Sequence, residues 1–138
     1  MELEYTDQVP VVYETLKNIE TAIIRLQERT KAIKSVEDFL SSSTGMEKLD
    51  AACMVLLAIG ESVKTLDKHT NKQLLPTYPS IDWKGVMGVR DIIAHHYFEV
   101  DPDAVFDILQ NDIEPLKAAI VFFKEHLFTD NNVEPLKP

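Results

Sequence analysis

Apolar side chains recur at steps of three and four residues along the first part of the chain. This stripe consists of Val12, Leu16, Ile19, Ile23 and Leu26. Such spacing is typical of a helix that buries one face. Pro10 fits the first turn, where a missing N–H is harmless, so the pattern predicts a helix from Val9 to Thr30.

Two further helices are predicted before residue 68. Ser35 and Asp38 form a variant capping box for a short helix from Ser35 to Leu40, followed by a loop over residues 41–45. Thr44 and Glu47 form a second box, which begins a helix reaching about Leu66. Because this helix is apolar on more than one face, we expect it to be the most buried.

Prolines and caps organise the second half of the chain. Residues 68–81 contain two prolines and are expected to be a connection. Asp82 is a plausible N-cap for a helix from Trp83 to about Tyr97 or Phe98, and Asp101 caps another that begins at Pro102. The last apolar stripe runs from Val105 to Leu127, and Pro115 within it should kink or break the helix.

No segment alternates with the period of two that is typical of strands. The predicted fold is therefore all-α, an antiparallel up-down bundle of four main helices with one short extra. We expect one domain over residues 1–128 and a flexible polar tail over residues 129–138. A small bundle with this much aliphatic surface often buries the rest by pairing, so a homodimer is expected.

Composition and charge limit the classes of protein to which the chain can belong. The 138 residues carry 14 basic and 23 acidic side chains, a net charge of −9, and 45% are hydrophobic. That apolar content excludes a disordered chain, and the acidity means that any RNA contact must come from a local cluster. The longest uncharged apolar run, residues 51–60, is half of the ~20 residues that cross a membrane. The single cysteine, Cys53, and an acidic, polar N-terminus lead us to expect a cytoplasmic protein with no membrane contact.

The common catalytic signatures are absent, among them phosphate loops and zinc-protease motifs. His95 and His96 are adjacent, and adjacent helical side chains point about 100° apart. They cannot chelate one metal ion as histidines four residues apart would. We therefore predict neither a metal site nor a cofactor.

The chemistry that stands out lies between Arg90 and Tyr97, where polar groups crowd an otherwise aliphatic helix. Asp91 and His95 are four residues apart, so the carboxylate can hydrogen-bond the imidazole and orient it. Arg90 offers a positive fork for a phosphate, and His95 offers a base. Together they are the minimum for metal-free RNA cleavage, in which the base takes the 2′-OH proton and the arginine stabilises the phosphate charge.

A structural interpretation of the same residues is the commoner one on residue types alone. Arg90 and Asp91 would form a surface ion pair, and His95 would be a satisfied histidine near a helix end. Tyr97 would be an ordinary amphipathic residue. Gly85 and Gly88 either admit another helix or a phosphate at close range or serve simple close packing.

At these residues the chain resembles a known family. Arg90, four intervening residues, His95 and then Tyr97 resemble the ribonuclease signature of the HEPN superfamily, in the form seen in HepT-type toxins. The order of Trp83 before this motif and Val100-Asp101 after it strengthens the resemblance, which covers about Val12 to Leu127.

The resemblance implies a homodimer in which two Arg/His sets form one RNA-cleaving groove. Arg90 and His95 would be catalytic, while Asp91 and His96 would have supporting roles. It also implies a minimal nucleotidyltransferase antitoxin, which transfers AMP from ATP onto Tyr97 and silences the nuclease. Asp91 stands where many relatives carry Asn, and its charge is expected to reduce the availability of Arg90.

Two other functions stay open at this stage. The chain is alternatively a non-enzymatic substrate-binding or regulatory subunit of a two-component nucleotidyltransferase, or an inert dimeric bundle. The segment from Arg90 to Tyr97 favours the nuclease, because a pure binding subunit would not need it. The net charge of −9 favours the other two.

Overall fold

The computed structural model describes residues 8–127, and all its regular elements are helical. The helices are α1 (Val9–Thr30), α2 (Val36–Leu40), α3 (Ser43–His69), α4 (Trp83–His95), α5 (Pro102–Asp107) and α6 (Ile113–Leu127). Short 3₁₀ turns cover Leu75–Thr77 and Tyr97–Glu99, and a π-helical turn, Ile108–Asp112, joins α5 to α6. Since residues 8–127 contain no strand, the all-α prediction is confirmed. The predicted tail, residues 129–138, lies outside the described range.

The core lies where α1 packs against α3 and α6 and where α3 packs against α4. The apolar stripe predicted on α1 is buried along its whole length, and Val12, Leu16 and Ile23 are fully inaccessible. The bounds of α1 match the prediction because its stripe and its early proline agree on the same segment. No helix within residues 8–127 is long and apolar enough to cross a membrane.

The beginning of α3 differs from the prediction. Ser42, not Thr44, caps this helix, and its side chain accepts a hydrogen bond from the Gly45 N–H at 2.9 Å. The predicted loop over residues 41–45 is therefore mostly helical. Glycine is required at position 45 because a Cβ there would collide with the Asp38 carbonyl oxygen. This contact with α2 fixes where α3 begins.

Three other predictions about the helices need correction. Ser35 makes no side-chain cap; instead Asp38 accepts the Lys34 N–H at 2.7 Å. α3 is not more buried than α1, since eight of its 27 residues are buried against seven of 22 in α1, and Met54 on its outer side is 66% accessible. Pro115 does not break the last helix, because the wider π-turn lies directly before it and relieves the clash between a proline ring and the carbonyl four residues earlier.

Candidate active site

The start of α4 is anchored as the sequence predicts. Asp82 accepts a hydrogen bond from the Gly85 N–H at 3.0 Å. The buried Trp83 indole donates to the Tyr78 carbonyl at 2.9 Å and stacks on Phe123. These contacts fix the direction in which α4 leaves the core.

The end of α4 comes earlier than predicted. The helix stops at His95, and Tyr97 begins a separate 3₁₀ turn. The chain must become extended by Val100, whose ψ is 128°, in order to reach the Asp101 cap and Pro102. His95 and Tyr97 therefore lie on different elements, both at the exposed end of α4.

A glycine on α3 sets the position of Arg90. A Cβ at Gly60 would lie 2.8 Å from the Arg90 Cβ and 3.1 Å from the Val86 carbonyl oxygen. The two helices therefore touch backbone to backbone at this point. Neither glycine of α4 has the predicted close approach to another helix, because a Cβ at Gly85 would meet only its own cap, Asp82, and a Cβ at Gly88 would meet nothing within 4 Å.

Two carboxylates hold the guanidinium of Arg90. Its Nη1 donates to Asp91 Oδ1 at 2.9 Å. Its Nε lies 2.7 Å from Glu61 Oε2, an ion pair without hydrogen-bond alignment. The hydrogen bond to Asp91 and the charge of Glu61 raise the pKa of Arg90. The same hydrogen bond lowers the pKa of Asp91, to which Lys64 Nζ contributes from 3.4 Å. The arginine is thus fixed in direction and locally neutralised.

The predicted hydrogen bond between Asp91 and His95 is absent. The Asp91 carboxylate turns instead to Arg90 and Lys64, which are both cationic and give stronger hydrogen bonds than an imidazole. The side chain of His95 is exposed and has no hydrogen-bond partner within residues 8–127. Its ring is therefore open to a ligand from solvent.

Tyr97 is tied to α3 by its hydroxyl group, which donates to the Asp50 carboxylate. That hydrogen bond, with burial and the Asp50 charge as smaller causes, raises the pKa of Tyr97 to about 12. The side chain remains 43% exposed. His96 is also exposed, and its Nδ1 lies 3.6 Å from Glu99 Oε2.

Three residues around this site lie on α3 and were missed as site residues: Asp50, Glu61 and Lys64. Their spacing of eleven and three residues places them on one face of the helix. A helical-face count would have grouped them. Nothing local in the sequence indicates that α4 covers this face, since the contacts join residues 27 to 47 positions apart.

The distribution of possible metal ligands also bears on the chemistry of the site. Within residues 8–127 no group of three or more His, Cys, Asp or Glu side chains could hold a metal ion. Cys53 is buried, and burial first, then Asp50, raises the pKa of its thiol.

Comparison with known proteins identifies the family. The profile described as "Ribonuclease HepT-like" matches residues 19–122, well over half of the chain, and this range includes Arg90, His95 and Tyr97. The chain belongs to the HepT-like ribonuclease family. Membership in this family, part of the HEPN superfamily, indicates ribonuclease activity and agrees with the resemblance found in the sequence.

Individual relatives support the assignment. "Probable ribonuclease HepT" of Thermococcus cleftensis is 30% identical over 102 residues, which cover 74% of this chain and 86% of that protein. A "Putative RNase" of Methanocaldococcus jannaschii is 32% identical over 87 residues, 59% of this chain and 69% of that protein. A second protein of that organism, "Gamma-glutamylcyclotransferase and putative RNase", is 31% identical over 117 residues, which are 85% of this chain but only 49% of that protein. No solved structure matches the chain significantly.

Proposed function

We propose that the chain is a metal-independent endoribonuclease, the toxin of a pair whose antitoxin is a minimal nucleotidyltransferase. The observation that carries this proposal is that α4 holds both Arg90, fixed by two carboxylates, and an exposed His95 five residues later, inside the range that matches the family. Metal independence is part of this proposal, because an imidazole base and a guanidinium can supply proton transfer and charge stabilisation without a metal ion.

The reaction is an attack of the ribose 2′-oxygen on the neighbouring phosphorus. His95 takes the 2′-OH proton while the new O–P bond forms. Arg90 stabilises the negative charge that grows on the phosphate oxygens. The bond from phosphorus to the 5′-oxygen then breaks, and that oxygen leaves with a proton from a second acid. The products are a cyclic phosphate and a free 5′-hydroxyl.

A homodimer supplies that second acid, because each chain brings one His95. Three exposed apolar side chains lie next to site residues along the chain. Ile92 follows Asp91 and is 55% accessible, and Phe98 follows Tyr97 and is 99% accessible. Met54, which is 66% accessible, lies one turn after Asp50 on α3. Clustered apolar exposure of this kind is typical of a surface that a partner covers. We assign the partner as a second copy whose site faces the first.

Arg90 keeps capacity for substrate despite its two carboxylates. A guanidinium has five N–H donors. The contacts to Asp91 and Glu61 involve only the Nη1 and Nε atoms of Arg90, so the N–H groups of Nη2 are not used by them. A phosphate oxygen can therefore bind the same group. The carboxylates reduce the local positive charge, so RNA binding should be weaker than in a chain with a neutral residue at position 91.

The antitoxin acts at Tyr97 in this proposal. The hydroxyl group attacks the α-phosphorus of ATP, its proton leaves, and pyrophosphate departs. The product carries AMP at a residue that follows His95 by two positions. Its bulk and negative charge would occupy the Arg90 fork and exclude RNA. Tyr97 is 43% exposed as a residue, and its hydroxyl group must exchange the hydrogen bond to Asp50 for the transferase in order to react.

Cleavage of RNA by the purified chain in EDTA tests the nuclease, with His95→Ala and His96→Ala as a matched pair. Both residues are exposed and adjacent, so each change removes one imidazole from the end of α4, but the two side chains point in different directions. His95→Ala should lose ~10²–10⁴ in rate, because a general base contributes about that much. His96→Ala should keep most of the activity. The reverse order of the two variants would refute the residue assignment.

Intact-mass spectrometry after incubation with the nucleotidyltransferase and ATP tests the antitoxin arm. The wild type should gain adenylate mass on a peptide that contains Tyr97, and Tyr97→Phe should gain none. An adduct on Tyr13 or Tyr78 would contradict the proposed control. A chain that binds the nucleotidyltransferase but cleaves no RNA would favour the non-enzymatic subunit instead.

A further inference from the structure

A basic hollow lies at the C-terminal end of α3, outside the Arg90–Tyr97 segment. It has a volume of about 430 Å³ and is lined by Lys64, Asp67, Lys68, Asn71, Lys72 and Met87. Three lysines and one aspartate thus line the hollow, in a chain whose net charge is −9, and Lys64 also pairs with Asp91 beside it. We call this group of residues the lysine hollow.

The lysine hollow is continuous with the candidate active site. Lys64 belongs to both, because its Nζ lies 3.4 Å from the Asp91 carboxylate that also binds Arg90. Lys68 follows Lys64 by four residues, about 6 Å along the helix axis. Lys64 and Lys68 therefore lie one turn apart on α3, and Lys72 follows in the turn after the end of that helix. Among residues 8–127, Lys68 and Lys72 make no ion pair.

The backbone of the turn after α3 is strained. Asn71 and Lys72 have φ values of 53° and 61°, in the left-handed region. Asparagine tolerates this conformation, but lysine rarely adopts it. A hydrogen bond of 2.8 Å from the Lys72 N–H to the Asp67 carbonyl holds the turn in place. A strained backbone at a residue that lines the hollow is typical of a position with a functional role.

We propose that the lysine hollow is a binding subsite for the phosphate backbone of single-stranded RNA, which it guides toward Arg90. The inference rests on the proposed nuclease function and adds a site for the part of the substrate that is not cleaved. Lysine ammonium groups bind phosphates without regard to base sequence, by releasing counterions. The half-buried Met87 also lines the hollow and offers apolar surface against which a ribose or base can pack.

Salt-dependent binding of fluorescent polyuridylate to the full chain tests the subsite. The His95→Ala background prevents cleavage during the measurement. The test variant is Lys68→Gln with Lys72→Asn, because asparagine accepts the left-handed backbone at position 72. The matched control is Lys31→Gln with Lys34→Gln, which removes the same charge at the end of α1. That end lies beside the start of α3, where Lys48 Nζ contacts the Arg29 carbonyl.

The slope of log K against log salt falls by ~0.7 for each lost contact to a single strand. The test variant should therefore lower the slope by about 1.4 for two contacts, and the control should leave it unchanged. Lys68→Arg with Lys72→Arg should restore the slope, which separates lost charge from lost folding.

Three outcomes would overturn the subsite, and they are distinguishable. If the wild type does not cleave RNA and the His95→Ala chain does not bind it, the proposed function and the subsite fail together. If the wild type cleaves RNA but the test variant keeps the full salt slope of the His95→Ala chain, only the subsite fails. If the test variant keeps RNA binding and loses capture of the nucleotidyltransferase, the hollow binds an acidic protein segment instead.

Discussion

Gly60→Ala is the change that most directly tests how the fold positions the site. The added Cβ would lie 2.8 Å from the Arg90 Cβ, whereas ordinary contact begins at about 3.4 Å. The helices must therefore separate by about 0.6 Å at this point. The Arg90 Cβ and the Val86 carbonyl oxygen belong to or adjoin the backbone of α4, so no flexible side-chain tip can give way. Arg90 must move with its helix.

Gly88→Ala is the matched control, because a Cβ there meets nothing within 4 Å. Both changes replace a helical glycine by alanine, which favours the helix by ~0.8–1.0 kcal/mol in each case. Overpacking at Gly60 costs typically about 1–3 kcal/mol. The propensity gain cancels in the comparison, so the two variants should differ by about 1–3 kcal/mol in the free energy of unfolding. Gly88→Ala should be the more stable.

Urea unfolding, with light scattering to confirm the same oligomeric state, measures this difference. RNA cleavage provides a second readout. A displacement near 1 Å at a reacting group can lower the rate by ~10², so Gly60→Ala should lose a substantial part of that factor while Gly88→Ala should not. Equal stability and equal cleavage in the two variants would refute the inferred contact between α3 and α4.

The remaining predictions concern single groups at the site. Asp91→Asn removes one carboxylate from Arg90 and should lower KM for RNA in steady-state cleavage; an unchanged or higher KM would contradict this. Asp50 raises the pKa of Tyr97 to about 12, above the value of about 10 for a free tyrosine. The folded chain then holds this proton more tightly, so the stabilisation is complete below about pH 10 and lost as the pH rises toward 12. Tyr97→Phe should flatten that part of the pH profile in urea unfolding, and an unaltered profile would refute the hydrogen bond. Cys53 is buried and its pKa is raised, so a thiol reagent should modify it far more slowly in the native chain than in urea; equal rates would contradict its burial.

Much of the fold is predictable because local signals agree. The stripe of α1 and its Pro10 point to the same segment, and Asp82 and Asp101 are caps in the structure as the sequence indicates. The start of α3 is different, since residues 41–44 are all capable of capping. The contact between Gly45 and the Asp38 carbonyl decides among them. A tertiary contact of this kind leaves no local trace.

In the candidate site, too, contacts within one helix are predictable from the sequence and contacts between helices are not. The adjacency of Arg90 and Asp91 makes their ion pair foreseeable, and the structure contains it. The expected bond between Asp91 and His95 fails because Lys64, from another helix, competes for the carboxylate. Asp50 reaches Tyr97 for the same reason, through the register that Gly60 sets between α3 and α4. Sequence spacing identifies which side chains share a helix face, but packing selects their partners.

The central claim is that Arg90 and His95 cleave RNA without a metal ion. Single-turnover cleavage of end-labelled RNA by the purified chain in EDTA tests it most directly, with Arg90→Ala purified in parallel. Removing one group that stabilises the transition-state charge costs ~10²–10³ in rate, so we predict cleavage by the wild type in chelator and a loss of that size in Arg90→Ala. Equal cleavage by the two chains, or activity that EDTA abolishes and a divalent cation restores, would contradict the claim.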